Sequence, residues 1–262
     1  WTATLSKQHR SNLLNYVLRE AVLLEGDIQC EKILFDWFVA RGVHIVDVQF
    51  PSNSEPADVV HATPVLCTTH CVVNITGCLS LTNECIQNFA KNCKSGLQML
   101  VFNSCPWVTD ETLQIVADLH GASITIFDIG RCTLVTDAGA AYVANKCDEL
   151  EDVKWDFCDQ LGTLAVAALA SHRLVTFSIN SCPSITEDSL VEFLQGNEDN
   201  LEILQIEGNN QLTDRTLLAV AENCPSLKTV EICDNDNYSD TGFSAIVESR
   251  QRSIKFQADF IG

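Results

Sequence analysis

The apolar positions of this chain recur at a fixed interval. With Cys78, Cys105, Cys132, Cys158, Cys182, Asn209 and Asn235 set in register, successive anchors stand 27, 27, 26, 24, 27 and 26 residues apart. Apolar residues fall eight, five and three places before each anchor. Cys105 has Leu97, Leu100 and Phe102; Cys132 has Ile124, Phe127 and Ile129; Cys158 has Leu150, Val153 and Trp155. Cys182 has Leu174, Phe177 and Ile179; Asn209 has Leu201, Leu204 and Ile206; Asn235 has Leu227, Val230 and Ile232. Cys78 keeps Val73 and Ile75, and a degenerate earlier copy fits Val43, Val46, Val48 and Pro51. Alternation with a period of two predicts one short strand per copy.

The second half of each copy reads as a helix. Four and five places past the anchor come Thr82-Asn83, Thr109-Asp110, Thr136-Asp137, Thr186-Glu187, Thr213-Asp214 and Ser239-Asp240. A hydroxyl can accept from the free N–H groups of a helix start, and a carboxylate there meets the positive end of the helix dipole. Apolar residues follow at helical spacing: Ile86/Phe89/Ala90, Leu113/Val116/Ala117, Leu190/Phe193/Leu194, Leu217/Val220/Ala221 and Phe243/Ile246/Val247. The small residues Ala90, Ala117, Ala144 and Ala221 let each helix lie close to the sheet. One strand and one helix per copy, stacked copy on copy, predict a curved α/β coil with strands inside and helices outside. The copy between Cys158 and Cys182 is three residues short and lacks the hydroxyl-acid start, so its turn is expected to be altered.

The anchors occupy the turn from strand to helix. Cys serves there as a small hydrophobe whose S–H can meet a backbone carbonyl, and Asn209 and Asn235 fill the same slot with an amide. A second row, Cys93, Cys147 and Cys224, lies fifteen residues after its anchors. Two rows at fixed repeat positions make the thirteen cysteines packing elements rather than bridges, which implies a reducing compartment.

The stretch Leu201-x-x-Leu204-x-Ile206-x-x-Asn209-x-x-Leu212-Thr213-Asp214-x-x-Leu217, with Cys at the other anchors and Asn-Cys-Pro at 223–225, resembles the cysteine-containing leucine-rich-repeat family. That resemblance implies a leucine-rich-repeat solenoid, a right-handed coil like that of ribonuclease inhibitor, with parallel strands on the concave face and helices on the convex one. It covers residues 43–262, and residues 1–42 are expected to form a helical N-terminal cap. The family's best-known members are F-box proteins that bring substrates to cullin-based ubiquitin ligases, which implies a substrate-recognition adaptor. The Leu-Pro start and Cys-x-x-Trp ending of an F-box are not found in residues 1–42. Asp36-Trp37-Phe38-Val39-Ala40-Arg41-Gly42-Val43 also resembles the entry to the repeat domain of the mitochondrial ATP synthase subunit s family, which implies instead a structural subunit of a large complex.

Charge narrows the partners. Sixteen basic residues face thirty-five acidic ones, for a net charge of −19. Residues from 148 onward carry 7 basic against 21 acidic, so that half contributes −14. Such a surface repels phosphate backbones, which argues against nucleic acid and for a protein partner with a basic patch, held in a hetero-complex. No apolar run reaches the ~18 residues a bilayer span needs, and Trp1 to Arg10 show no signal peptide, so a soluble intracellular protein is expected, cytoplasmic or nuclear, with the mitochondrial matrix as the alternative.

No catalytic constellation is visible. His9, His44, His61, His70, His120 and His172 fall in different copies without a paired acid or nucleophile, and no phosphate-cradling glycine loop is present. Cys67, Cys71, Cys78 and Cys85 with His70 match no common zinc spacing, and the loop from Asp234 lacks the Gly and Glu of a calcium site, having Ser239 and Ala245 instead. No metal, cofactor or enzymatic activity is therefore expected. The sequons Asn74-Ile75-Thr76 and Asn237-Tyr238-Ser239 are read as structural.

The expected site is the concave face, which receives the residues between the apolar strand positions. Four places before the anchors these are Asn74, Val101, Asp128, Lys154, Ser178, Gln205 and Glu231. Two places before, they are Thr76, Asn103, Gly130, Asp156, Asn180, Glu207 and Cys233, with Arg131, Phe157 and Asp234 beside them. From these, Asn103, Asp128, Arg131, Lys154, Asp156, Phe157, Asn180, Gln205, Glu207, Glu231 and Asp234 are the candidate partner-binding residues, with Phe157 as an exposed aromatic anchor.

Overall fold

The computed structural model describes residues 47–50, 52–60, 71–93, 96–197, 200–249 and 255–257. The expected cap at 1–42 lies outside them, as do Val43, Val46, Pro51, Cys67 and His70. Strands β1 (Asp47–Gln49), β2 (Cys71–Asn74), β3 (Leu97–Val101), β4 (Ile126–Asp128), β5 (Asp152–Lys154), β6 (Thr176–Ser178), β7 (Ile203–Gln205), β8 (Thr229–Glu231) and β9 (Lys255–Gln257) form one sheet in sequential order. Every neighbouring pair is parallel. Between them run α1 (Asn83–Asn92), α2 (Asp110–His120), α3 (Asp137–Lys146), α4 (Thr163–Ala168), α5 (Glu187–Gly196), α6 (Asp214–Asn223) and α7 (Asp240–Glu248). A short helical stretch also covers residues 56–60.

The core is the layer between sheet and helices. The central strand residues Val73, Phe127, Val153, Phe177, Leu204 and Val230 are buried and aligned strand to strand. The residues three before each anchor, Ile75, Phe102, Ile129, Trp155, Ile179, Ile206 and Ile232, close the layer from the loop side. Ile86, Phe89, Leu113, Val116, Val143, Leu190, Phe193, Leu217 and Val220 close it from the helices, and Ala90, Ala117 and Ala144 are buried as expected. Phe243 and Val247 depart from that pattern: they remain 37% and 58% exposed, because among the described residues no further helix covers that flank of α7.

The anchors form a ladder of hydrogen bonds. From Cys105 onward each anchor Cys Sγ donates to the carbonyl three residues before the preceding anchor: Cys105 to Ile75 at 3.0 Å, Cys132 to Phe102 at 3.1 Å, Cys158 to Ile129 at 3.2 Å and Cys182 to Trp155 at 3.0 Å. Asn209 Nδ2 takes the same place on Ile179 at 2.8 Å, and its Oδ1 accepts from Cys182 N at 2.8 Å. Asn235 deviates by donating to the carbonyls of Asn209 and Leu212. The ten cysteines from Cys78 to Cys233 whose side chains are described are reduced thiols. Burial lifts the thiols of Cys105 and Cys158 to about 11 and those of Cys78, Cys147 and Cys182 to about 12. They are thus neutral, poorly nucleophilic packing groups.

The second row proves longer than its cysteines. His120 and Asn197 also stand fifteen residues after their anchors, and His172 fourteen after Cys158. His120 Nε2 bonds Ala90 O at 2.9 Å, His172 Nε2 bonds Cys147 O at 3.1 Å, and Asn197 Oδ1 accepts from Leu174 N at 3.2 Å. These side chains satisfy backbone groups near helix ends that would otherwise lack partners.

Candidate functional site

Parallel register arranges the open face of the sheet in rows. One row runs Val72, Met99, Ile126, Asp152, Thr176, Ile203 and Thr229; the next runs Asn74, Val101, Asp128, Lys154, Ser178, Gln205 and Glu231. Both lie on the side away from the helices, since side chains alternate and the row between them fills the core. The first row was missed by the sequence reading, which placed only the positions four and two before the anchor on this face. The period of two extends to six places before, so the same alternation could have found Met99, Ile126 and Ile203, which are half-buried here.

Three expected positions do not reach solvent. Ser178 is wholly buried because its hydroxyl donates to Asp156 Oδ1 at 2.6 Å and lies beneath that carboxylate. Val101 and Gly130 are buried as well. On β6 both Thr176 and Ser178 are therefore covered rather than open to solvent.

Several of the candidates hold the turns. Asp128 Oδ1 accepts from Gly130 N at 2.9 Å, and Asn103 Nδ2 donates to it at 3.4 Å. Burial raises the Asp128 carboxyl, with the Gly130 N–H, Lys154 and Asn103 opposing that rise. Asp156 Oδ1 accepts from Asn180 N at 2.8 Å, and Asn180 Oδ1 accepts from Glu207 N at 2.7 Å, so these three form a chain across β5, β6 and β7. Gln205 Nε2 donates to Glu231 Oε2. Lys154 is half-buried next to Asp128, and Asp234 is exposed in the turn after β8.

The residue before each anchor shares one backbone state. Gly77, Ser104, Arg131, Phe157, Ser181, Gly208 and Asp234 all have φ between 52° and 70°. In this left-handed region a side chain other than glycine costs ~1 kcal/mol. Only Gly77 and Gly208 signal it in sequence. Arg131 and Phe157 are brought together there: the guanidinium carbon lies 3.9 Å from the ring centroid, and Phe157 is 39% exposed. A large aromatic held in a strained turn, stacked under a cation and open to solvent, is suited to contact with another molecule.

The loop side of the coil is stitched by the helix-start acids. Asp110 accepts from Thr136 N at 2.8 Å and from its hydroxyl at 2.6 Å, Glu187 accepts from Thr213 and Thr216, and Asp214 accepts from Ser239. Each acid thus serves the next helix of the coil as well as its own. Burial alone would raise the Glu187 carboxyl, but the Thr213 and Thr216 bonds bring it below its ordinary value; Ser239 does the same for Asp214. In the shortened copy, α4 has only six residues and no side-chain cap of its own. Asp137 of the preceding copy replaces it, accepting from Gly162 N, Leu164 N and Ala165 N at 2.9, 3.0 and 2.7 Å.

Among the described residues no three His, Cys, Asp or Glu side chains converge as metal ligands, and no helix is long and apolar enough to cross a membrane. In the supposed calcium loop, Asn235 Oδ1 accepts from Asn237 N at 2.8 Å while its amide nitrogen serves the repeat ladder.

No family model matches the chain. The Antagonist of mitotic exit network protein 1 of Eremothecium gossypii is 28% identical over 162 residues, which is 60% of this chain and 40% of that protein. The chain therefore spans less than half of that relative's length. Among solved structures, a chain of the yeast Rad7–Elc1 complex superposes with a TM-score of 0.58 at 14% identity, covering 81% of this chain and 63% of that one. A chain of the TLR13–ssRNA13 complex matches at a TM-score of 0.49 and 12% identity, over 92% of this chain and 30% of the other. Nine parallel strands in sequential order, one repeated anchor and the Rad7–Elc1 overlap together make the fold a leucine-rich-repeat solenoid.

Proposed function

We propose that this chain is a non-enzymatic scaffold that holds a protein partner on the concave face of the coil. The observation that carries the reading is the open sheet face itself, on which Met99, Ile126 and Ile203 remain half-buried and Phe157 stands out of the turn under Arg131. Apolar side chains left on a rigid face, beside polar groups already fixed by the turns, favour association at little ordering cost. Burial keeps the ladder thiols neutral, and Asp128 and Asp156 already accept turn N–H groups, which accords with a binding role. The finer reading is a substrate-recognition adaptor for a ubiquitin ligase, acting in the cytoplasm or nucleus, and it rests on the likeness to the cysteine-containing repeat family. A relative named for antagonism of the mitotic exit network accords with a role in binding.

Affinity purification of the full-length protein from its native cells, beside Ile126→Glu and Phe157→Ala forms, tests both levels. A partner recovered with the wild type and lost with these variants is expected, together with a Skp1-like or cullin subunit. Recovery indifferent to both variants would overturn the concave-face reading, and absence of any ligase subunit would overturn the adaptor role.

A further inference from the structure

The turns that lead from strand to helix are tied to one another by the side chain two places after each anchor. Trp107 Nε1 donates to Cys78 O at 2.6 Å, Gln160 Nε2 to Thr133 O at 2.7 Å, Ser184 Oγ to Asp159 O at 2.7 Å and Gln211 Nε2 to Cys182 O at 3.1 Å. Asn237 Nδ2 donates to Asn210 O in the same way. Leu134 breaks this row, because an aliphatic side chain has nothing to donate. It stands 51% exposed instead. Pro106 O matches Thr133 O, Asp159 O and Asn210 O, each one place past its anchor, and receives no such bond from Leu134. Gln at 134, as at 160 and 211, would close the row.

Arg131 begins the same turn. It is the only Lys or Arg in the strand-to-helix turns from Ile75 to Ser239. The ion pairs among the described residues join Lys146 to Asp118, Arg215 to Asp188 and Lys228 to Glu202, and none includes Arg131. One face of its guanidinium lies on the Phe157 ring, which leaves the N–H groups at its edge for an outside acceptor. The acids between Leu97 and Lys146 already accept from the protein itself: Asp110 from Thr136, Glu111 from Gln87, Asp118 from Tyr142, Asp128 from Gly130 and Asp137 from Gly162. Further on, Asp156 holds Ser178 and Asn180, and Asp159 is the exposed acid of the next turn.

We infer that this edge of the coil binds a short extended segment of a partner protein, which sets an apolar side chain on Leu134 and a carboxylate on Arg131. The segment also donates to Pro106 O the bond that Leu134 cannot make. The contact extends the concave-face reading above to the adjoining edge, shares Phe157 with it and makes no use of Met99 or Ile126. Apolar burial at Leu134 supplies affinity, and a two-pronged pairing with the guanidinium fixes register. From the turn of Pro106 to that of Phe157 is two strand spacings, roughly 10 Å at ~4.8 Å each, which about three extended residues span.

The test pans a display library of random ten-residue peptides on the whole chain and discards clones that the Leu134→Gln form retains. The clones left are expected to share an apolar residue and an Asp or Glu within three places of it. As fluorescein-labelled peptides in anisotropy titrations they should bind Arg131→Gln roughly tenfold more weakly than wild type, and Ile126→Glu as tightly as wild type. Urea midpoints should show Leu134→Gln at least as stable as wild type, since it restores a bond the other copies have. The proposal is overturned if no clone is left, if the clones lack an acid, if Arg131→Gln binds them equally, or if Leu134→Gln is clearly destabilised. The natural partner separates the two readings. Loss with Ile126→Glu alone would keep the concave-face scaffold and remove the edge contact, and loss with Leu134→Gln alone would do the reverse.

Discussion

Removing the Asp137 carboxylate tests whether one repeat caps the helix of the next. Its oxygens accept three consecutive-turn amides, Gly162 N, Leu164 N and Ala165 N, at 2.7–3.0 Å. Leu164 is exposed and its N–H can turn to water, but Gly162 and Ala165 are buried and theirs cannot. Losing a helix cap costs ~0.5–2 kcal/mol, and leaving buried donors unpaired adds to it, so Asp137→Ala should destabilise the chain by about 2–3 kcal/mol. Asp137→Asn keeps one acceptor oxygen but loses the charge, and should cost about 1 kcal/mol. The other copies place Thr or Ser at the position of Gly162, so Gly162→Ser in the Asp137→Ala background supplies a local cap. A Cβ at 162 would lie 3.2 Å from Asp137 Oδ2 and 3.3 Å from Ser184 O, so removing the carboxylate also relieves one of the two close contacts. Urea titration and thermal melts, both followed by circular dichroism, measure the losses, with Glu149→Ala as an exposed control. The expected fall in melting temperature is roughly 5–10 °C for Asp137→Ala, with about half recovered in the double variant. The reasoning is refuted if Asp137→Ala costs no more than the Glu149 control, or if Gly162→Ser restores nothing.

Replacing Phe157 with Gly relieves the left-handed strain, worth ~1 kcal/mol, while removing a cation–π contact worth ~0.5–1 kcal/mol, so stability should hold within about 0.5 kcal/mol while partner binding falls. A clear loss of stability with unchanged binding would reverse that assignment. The buried thiols ionise near 9.0 in the unfolded chain but only near 11–12 in the folded one at Cys105, Cys158, Cys78, Cys147 and Cys182. Their contribution is complete below pH 9 and is lost as pH rises through the folded values, so scanning calorimetry should find a melting temperature that falls steadily above pH 9; a flat profile would contradict the buried ladder. Burial lowers the His120 value below 6.5 in the folded state, only partly opposed by its bond to Ala90 O. Stability should therefore decline as pH falls below 6.5, and urea midpoints for His120→Gln should show a shallower decline than wild type.

What the sequence disclosed was whatever recurs at a fixed offset with a fixed residue type. The strands, the core triplets such as Leu97 and Phe102, the cysteine ladder and the helix starts all meet that condition. The left-handed turn recurs just as faithfully, yet Ser104, Arg131, Phe157, Ser181 and Asp234 share no side-chain property, so only backbone geometry reveals it. The second row is half-legible for a similar reason: His120, His172 and Asn197 occupy the repeat position of Cys93 and Cys147 with unlike chemistry. Asp137 and Asp214 were placed at the right helix ends, but their strongest partners lie 25–28 residues downstream, beyond any local pattern. On the face, alternation alone makes Ser178 available, yet the Asp156 carboxylate from the turn after β5 covers it, and that contact depends on register and not on the residue itself.

The shortened copy shows how the two layers of the coil divide their tasks. Its three missing residues cannot come from the strand side, because the ladder needs Cys158 on Ile129 O and Cys182 on Trp155 O, both within 3.2 Å, and β6 keeps its register with β5 and β7. The deficit falls on the helix side, where α4 has six residues against nine to eleven in the other helices. Large aromatics occupy the adjoining core: Trp155 packs edge-on against Phe177, centroids 6.0 Å apart, and Phe177 lies 4.5 Å from Phe193. The open face opposite carries only Thr176 and Ser178 on that strand. Changes to Asp137 or α4 therefore act on the convex layer and should alter stability while leaving the face rows in register. Changes to Ile126, Glu207 or Glu231 act on side chains that the core does not use, and should alter recognition while leaving stability close to wild type.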